Sequence, residues 1–168
     1  MPFDPYLALA TLQRHEVRFV MIGGFAGAIL GSGVLTQDLD LCYRRDDENL
    51  ERLVAALEEL DARLRGVEED VPFVLDAATL RNGDSFTFQT TAGPIDIIGT
   101  PSGTNGFHDL EAAALDMDLG DGVRVRVASI DDLMRMKRAA ARPKDLIHLE
   151  QLAALRDQLE SKEPPAES

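Results

Sequence analysis

The sequence predicts a mixed α/β (α+β) domain, and three observations carry that prediction. Arg18 to Ile22 is a β-branched and apolar run that stops at Gly23 Gly24 and gives way to the small, apolar segment Phe25 to Leu30. This reads as strand, glycine turn and short helix. Ser85 to Thr91 alternates Phe86 and Phe88 with Thr87 and Gln89, and Ala92 Gly93 then leads into Pro94 to Ile98, a pattern that predicts a β-hairpin. From Asp47 to Leu60, Leu50, Leu53, Val54, Leu57 and Leu60 fall on one 3.6-period face with Glu51, Glu58 and Glu59 off it, which predicts an amphipathic helix.

The other elements follow in order. Asp4 before Pro5 supplies an N-cap and a first-turn proline, and Leu7, Leu9 and Leu12 give a loosely apolar first helix ending near His15. Gly31 and Gly33 break the helix after the glycine turn, and a second strand then carries Asp38 and Asp40. Residues 61–83 are weakly patterned: Pro72 limits any strand, Asp76 to Leu80 suits one helical turn, and Asn82 Gly83 signals a turn. No chemistry is assigned there. Phe107 to Leu115 predicts a short helix, and Met117 to Val127 a second hairpin turning at Asp121 Gly122.

Ser129 begins a helix that runs to about Ala140. Asp132 stands at its N3 position, an acidic variant of the capping box, and Ile130, Leu133 and Met134 supply its buried stripe. Pro143 opens a final helix with Leu146, Leu149, Leu152 and Leu155 spaced for one face. No internal repeat is present. The 168 residues suit a single domain, assigned to 1–160, with 161–168, containing Pro164 and Pro165, expected as a disordered tail.

The formal net charge of −13 argues against affinity won by neutralising many phosphates of a long nucleic acid, so no extended nucleic-acid surface is expected. The single Cys42 makes no internal disulfide and suits a reducing cytoplasm. No run approaches the ~18 apolar residues of a membrane span, and none is expected to cross one.

Side chains alternate along a strand, so Asp38 and Asp40 face one side while Leu39 and Leu41 face the core. Two such carboxylates repel, and a divalent cation between them removes the repulsion; Mg²⁺, or Mn²⁺ in its place, is the hard candidate. Asp96 interrupts an otherwise apolar strand, where a carboxylate is costly unless paired or metal-bound. At Gly23 and Gly24 the backbone can approach a ligand, and a helix starting after them would aim free N–H groups at a phosphate.

Taken singly, a glycine pair is more often a plain turn, and Asp-x-Asp a solvated strand end. Their order and the third acid point to a site. The clusters Asp46 Asp47 Glu48 and Glu68 Glu69 Asp70 read as solvated helix starts or loops. His15, His108 and His148 are scattered and form no triad, Cys42 reads as a buried small hydrophobe, and Met134 and Met136 as packing.

Gly23 Gly24, Gly31, Thr36, Asp38, Asp40 and, on a separate strand, Asp96 together resemble the DNA polymerase β-like nucleotidyltransferase superfamily. Its signature is Gly-(Gly/Ser), then Asp-x-Asp, then a third acid on a later strand. Lys137 Arg138 and Arg142 Pro143 Lys144 Asp145 Leu146 resemble its small bacterial branch related to AbiEii, common in toxin–antitoxin loci. The resemblance covers most of residues 16–155.

That resemblance implies a mixed, twisted sheet flanked by helices with further helices at the C-terminus. It also implies transfer of a nucleoside monophosphate from a nucleoside triphosphate to an acceptor. Gly23, Gly24 and Thr36 would then belong to the nucleotide site. Asp38 and Asp40 would bind a nucleotide-associated metal, and Asp96 would complete a second metal position and help activate the attacking hydroxyl. Two metals ~3.5 to 4 Å apart stabilise both the attacking and the leaving oxygen. Lys137 would neutralise triphosphate charge from the side opposite the metals, with Asp145 in or near the nucleotide site.

Beside this stands the reading of Lys137 as an exposed lysine favourable to its helix dipole. Leu30 and Val34 occupy positions where many relatives carry His and Arg. A catalytically weak or inactive nucleotidyltransferase-fold binding protein, such as a toxin–antitoxin component, is therefore the alternative. The acceptor, whether RNA, a partner protein or a small molecule, is left open.

Overall fold

The computed structural model describes residues 2–33, 35–66 and 72–162. Val34, the acidic cluster Glu68 Glu69 Asp70 and the tail expected beyond Lys162 lie outside the described residues. Seven helices and seven strands are found among the described residues: α1 (Pro5–Arg14), β1 (Phe19–Ile22), α2 (Gly23–Leu30), β2 (Leu39–Tyr43), α3 (Asp47–Glu59), β3 (Arg63–Leu64) and α4 (Ala77–Asn82). These are followed by β4 (Ser85–Thr90), β5 (Gly93–Ile98), α5 (Phe107–Glu111), β6 (Leu115–Asp118), β7 (Arg124–Val127), α6 (Ile130–Ala140) and α7 (Pro143–Lys162).

Local chemistry starts several of these helices. The side chains of Asp4, Asp46, Asp76 and Ser129 each accept a hydrogen bond from the backbone N–H three residues on, which satisfies a donor that the helix itself leaves free. The strands form one mixed sheet in the order β3-β4-β5-β2-β1-β7-β6. β1 runs antiparallel to β2 and parallel to β7, and β2 runs parallel to β5. The outer pairs β3–β4, β4–β5 and β6–β7 are antiparallel. Strand β1 is buried from Val20 to Ile22, whereas Leu39 and Leu41 on β2 and Ile95 and Ile97 on β5 are buried with Asp40 and Asp96 between them on the other, more open face.

Asn49 is a buried polar residue with its amide fully used. It accepts from the Arg18 N–H at 2.7 Å and donates to the carbonyls of Arg18 and Arg44, tying α3 to the ends of β1 and β2.

Several boundaries differ from the sequence expectation. The glycine pair does not precede the helix but forms its first turn, so α2 starts at Gly23 rather than Phe25. The helix expected over 107–115 ends at Glu111, and Leu115 already belongs to β6. The weakly patterned stretch holds both β3 and α4, and Asn82 Gly83 closes that helix instead of making an isolated turn. Helix α7 includes Ser161 and Lys162. Leu146 does not share the buried face of α7 and is 50% exposed. Residues three apart retreat by ~60° around a helix, so Leu146 and Leu155, nine apart, end on opposite sides.

Candidate active site

Strands β2 and β5 lie side by side with Asp40 directly opposite Asp96. Both carboxylates leave the face away from Leu39, Leu41, Ile95 and Ile97, because the side-chain period of a strand is two. Asp38, just before β2, turns to the same side. One carboxylate oxygen from each of Asp38, Asp40 and Asp96 lies within 4.8 Å of the others. Burial, then the charges of Asp38 and Asp96, push the Asp40 carboxyl up to about 7. An all-oxygen donor set with this unrelieved repulsion fits a hard divalent cation.

Two neighbours fix the outer carboxylates. Thr36 Oγ1 donates to Asp38 Oδ1 at 2.7 Å. Arg65, from the stretch to which no chemistry was assigned, donates to Asp96 Oδ1 at 3.3 Å.

The glycine pair sits against this cluster. Ile22, the last residue of β1, pairs with Asp40, and Gly23 follows with φ +74°. A Cβ at Gly23 would overlap the Asp40 carboxylate, while one at Gly24 would lie 3.4 Å from Thr36. Glycine is thus required at 23 both by the left-handed backbone and by the close approach of Asp40. No side chain caps α2, so its first N–H groups are free for an anion.

The facing wall comes from the junction of α6 and α7. Asp145 is fully buried, and Lys137 Nζ lies 3.2 Å from its Oδ1. Arg142 donates to it from Nε at 2.6 Å, from Nη2 at 3.2 Å and from its backbone N–H at 3.2 Å. Arg142 first, with help from Lys137, holds the Asp145 carboxyl well below the usual carboxylate range. Lys137 is therefore a largely covered, paired lysine and not a free helix-end charge.

Gly23, Gly24, Thr36, Asp38, Asp40, Asp96, Lys137 and Asp145 all line one cavity of about 540 Å³. The same cavity is lined by Arg142, Lys144 and His148, which the sequence reading did not place in a site. Burial, reinforced by Lys137, lowers the His148 pKa and keeps the imidazole neutral near pH 7. Cys42 is buried and its thiol is pushed up to about 12, first by burial, so it takes no part.

No protein-family model matches the chain, and no curated protein matches it. Solved structures do. The lincosamide antibiotic adenylyltransferase LnuA, lincomycin-bound, superposes with a TM-score of 0.59 at 12% identity, over 90% of this chain and 95% of that one. The fold is that of a nucleotidyltransferase. The antibiotic-resistance factor ANT(2'')-Ia gives a TM-score of 0.53 at 17% identity, over 94% of this chain and 90% of that one. Its complex with adenylyl-2''-tobramycin gives 0.51 at 18%, over 94% and 95%. Within the nucleotidyltransferase fold, then, the acids of β2 and β5 and the start of α2 share one cavity with the α6–α7 junction.

Proposed function

We propose that this chain is a metal-dependent nucleotidyltransferase that moves a nucleoside monophosphate from a nucleoside triphosphate to an acceptor hydroxyl. The observation that carries this is the convergence of Asp38, Asp40 and Asp96, with ligand oxygens within 4.8 Å of one another. In the reaction the acceptor oxygen bonds to the α-phosphorus as the bond from that phosphorus to the bridging oxygen breaks. Pyrophosphate leaves, and the hydroxyl proton is lost to a base.

Asp38, Asp40 and Asp96 would hold Mg²⁺ or Mn²⁺, which would supply Lewis-acid stabilisation of the oxygens at the reacting phosphorus. Asp96 orients the attacking hydroxyl and receives its proton. Gly23, Gly24 and the free N–H groups of α2 bind triphosphate oxygens, and Thr36 keeps Asp38 aimed at the cation. Lys137 and Arg142 offset charge on the departing pyrophosphate, and Asp145 holds both in place within the nucleotide site.

For the acceptor we propose a small hydroxylated molecule rather than RNA or a partner protein. The structures of LnuA with lincomycin and of ANT(2'')-Ia with adenylyl-2''-tobramycin support this, as does the formal charge of −13. The Lys137 Arg138 and Arg142 to Leu146 motifs support the small branch related to AbiEii and a toxin–antitoxin setting, and the use of a nucleoside triphosphate supports a cytoplasmic location. No helix among the described residues is long and apolar enough to cross a membrane.

The Arg65–Asp96 ion pair favours a second reading, a catalytically weak binding protein, because it occupies the third carboxylate. Mg²⁺-dependent binding and turnover of the four nucleoside triphosphates separate the two, in the wild type and in Asp38→Ala with Asp40→Ala. The enzyme reading expects metal-linked binding and pyrophosphate release that the double variant loses. Binding without release favours the second reading, and no metal-linked binding in the wild type sinks the enzyme reading.

A further inference from the structure

A second cavity, of about 550 Å³, opens at the opposite end of β1 from the carboxylates. Arg18, just before β1, is five residues from Gly23, or about 16 Å at the rise of an extended strand. Arg18, Arg52, Arg124 and Arg126 line this cavity against only two carboxylates, Glu16 and Glu111. In a chain of net charge −13 this grouping of four arginines in one hollow stands out, with Glu48, Asp118 and Asp116 at its edge within 4 Å of Arg52, Arg124 and Arg126.

These guanidinium groups are under-partnered. The Arg18 side chain has no ion pair or hydrogen bond among the described residues; only its backbone N–H and carbonyl are engaged, by Asn49 and Arg44. Arg126 Nε is shielded from solvent and without a hydrogen-bond partner, and the nearest carboxylate oxygen to Arg126, on Asp116, is 3.8 Å from Nη1. The Arg124–Asp118 separation of 3.7 Å is likewise beyond hydrogen-bond distance. Of the four, only Arg52 has a carboxylate at hydrogen-bond distance, Glu48 at 2.6 Å.

Two of these arginines, Arg124 and Arg126, are tied to neighbouring elements. Gln13 donates through Nε2 to the Gly122 carbonyl at 2.8 Å and accepts the Arg124 N–H on Oε1 at 2.8 Å, which locks the start of β7 against α1. Arg126 Nη2 donates to the Glu111 carbonyl at 3.1 Å. Guanidinium N–H groups without a carboxylate at hydrogen-bond distance remain open to an oxyanion, which would take up those donors.

We infer that this cavity binds a small molecule carrying a polyphosphate, held directly by arginine. Guanidinium forks match phosphate oxygens two at a time, and the cavity has the size of an ordinary small-molecule site, ~300 to 1,000 Å³. The absence of a carboxylate triad here separates it chemically from the first cavity: its binding needs no divalent cation. A long nucleic acid fits poorly, since the basic patch is confined to one hollow of an acidic chain.

Calorimetric titration of the full chain with inorganic tripolyphosphate, in EDTA, tests this. One tripolyphosphate per chain is expected, with affinity falling as salt is raised. Arg18→Ala with Arg124→Ala, both exposed positions, should weaken binding by about tenfold or more, and Arg18→Lys with Arg124→Lys should recover part of it. Lys137→Ala with Arg142→Ala should leave it unchanged. Circular dichroism of each variant verifies folding. A parallel titration with ATP identifies the source of the phosphates: tighter binding than tripolyphosphate assigns a nucleotide, equal binding a simple polyphosphate, and both support the site. No binding at millimolar tripolyphosphate overturns the proposal, as does loss in the Lys137 variant but not in the Arg18 variant. A single-stranded oligonucleotide binding where tripolyphosphate does not would also overturn it.

Discussion

Gly23 carries two constraints at once, a φ of +74° and a Cβ position that falls on the Asp40 carboxylate. Gly23→Ala is therefore expected to cost about 1 to 3 kcal/mol in denaturant unfolding and, by driving Asp40 aside, to weaken Mg²⁺ binding by about tenfold or more. Gly24→Ala serves as the control. Its backbone has ordinary φ and its Cβ would meet Thr36 at 3.4 Å, so stability and Mg²⁺ affinity should change little. Equal effects at the two glycines would sink the argument. At this scale Asp96 was legible in the sequence because one acid inside an apolar strand has few inexpensive explanations. Arg65 was not legible, since it reaches Asp96 across 31 residues from beside a two-residue strand with no periodicity to reveal it.

Between elements, the join of α6 to α7 depends on Asp145. Ala141 turns the chain in the left-handed region with φ +52°, Pro143 starts α7, and Asp145 in its first turn reaches back to Arg142 and Lys137. Asp145→Asn keeps the size and removes the charge. With Arg142 58% exposed the loss is discounted to about 1 to 3 kcal/mol of unfolding free energy, and nucleoside triphosphate binding should weaken as Lys137 loses its anchor. The sign with pH is definite. Because the native carboxyl is held below its unfolded value, its contribution is present above about pH 4 and is lost as pH falls through the native value. Urea unfolding of wild type and variant at pH 7 and pH 3 should show the gap closing on acidification; an unchanged gap would falsify the assignment. The period that predicted α3 and α6 works because each buries one stripe. In α7 the three-residue leucine spacing led away from the buried face, whereas Asp145, His148, Leu152 and Leu155 stay within about a quarter turn of one another. Started at Asp145, that stripe would have brought His148 into the cavity. Strand β3 was illegible for another reason: two residues cannot display alternation.

For the whole molecule the question is what balances three converging acids in a chain of net charge −13. Without a cation, the native Asp40 carboxyl titrates at about 7, while in the unfolded chain it titrates near 3.8. Between those values the native state binds more protons than the unfolded one, so stability falls as pH rises. This contribution is full below about pH 4 and gone above about pH 7, a change on the order of 2 to 4 kcal/mol. Groups held low, such as Asp145, change in the opposite sense, so the wild-type curve alone does not isolate it. The comparison with Asp40→Asn does. In EDTA at fixed ionic strength the variant should match the wild type near pH 4 and exceed it at pH 8 by that amount in urea unfolding. Mg²⁺ at pH 8 should close that gap, because a ligand at a thousand times its Kd stabilises the native state by about 4.1 kcal/mol and the variant has lost a ligand oxygen's charge. If Asp40→Asn is no more stable than the wild type at pH 8 in EDTA, the acids are not held in mutual repulsion. The stored cost that a metal ion relieves on binding would then have to lie elsewhere than Asp40.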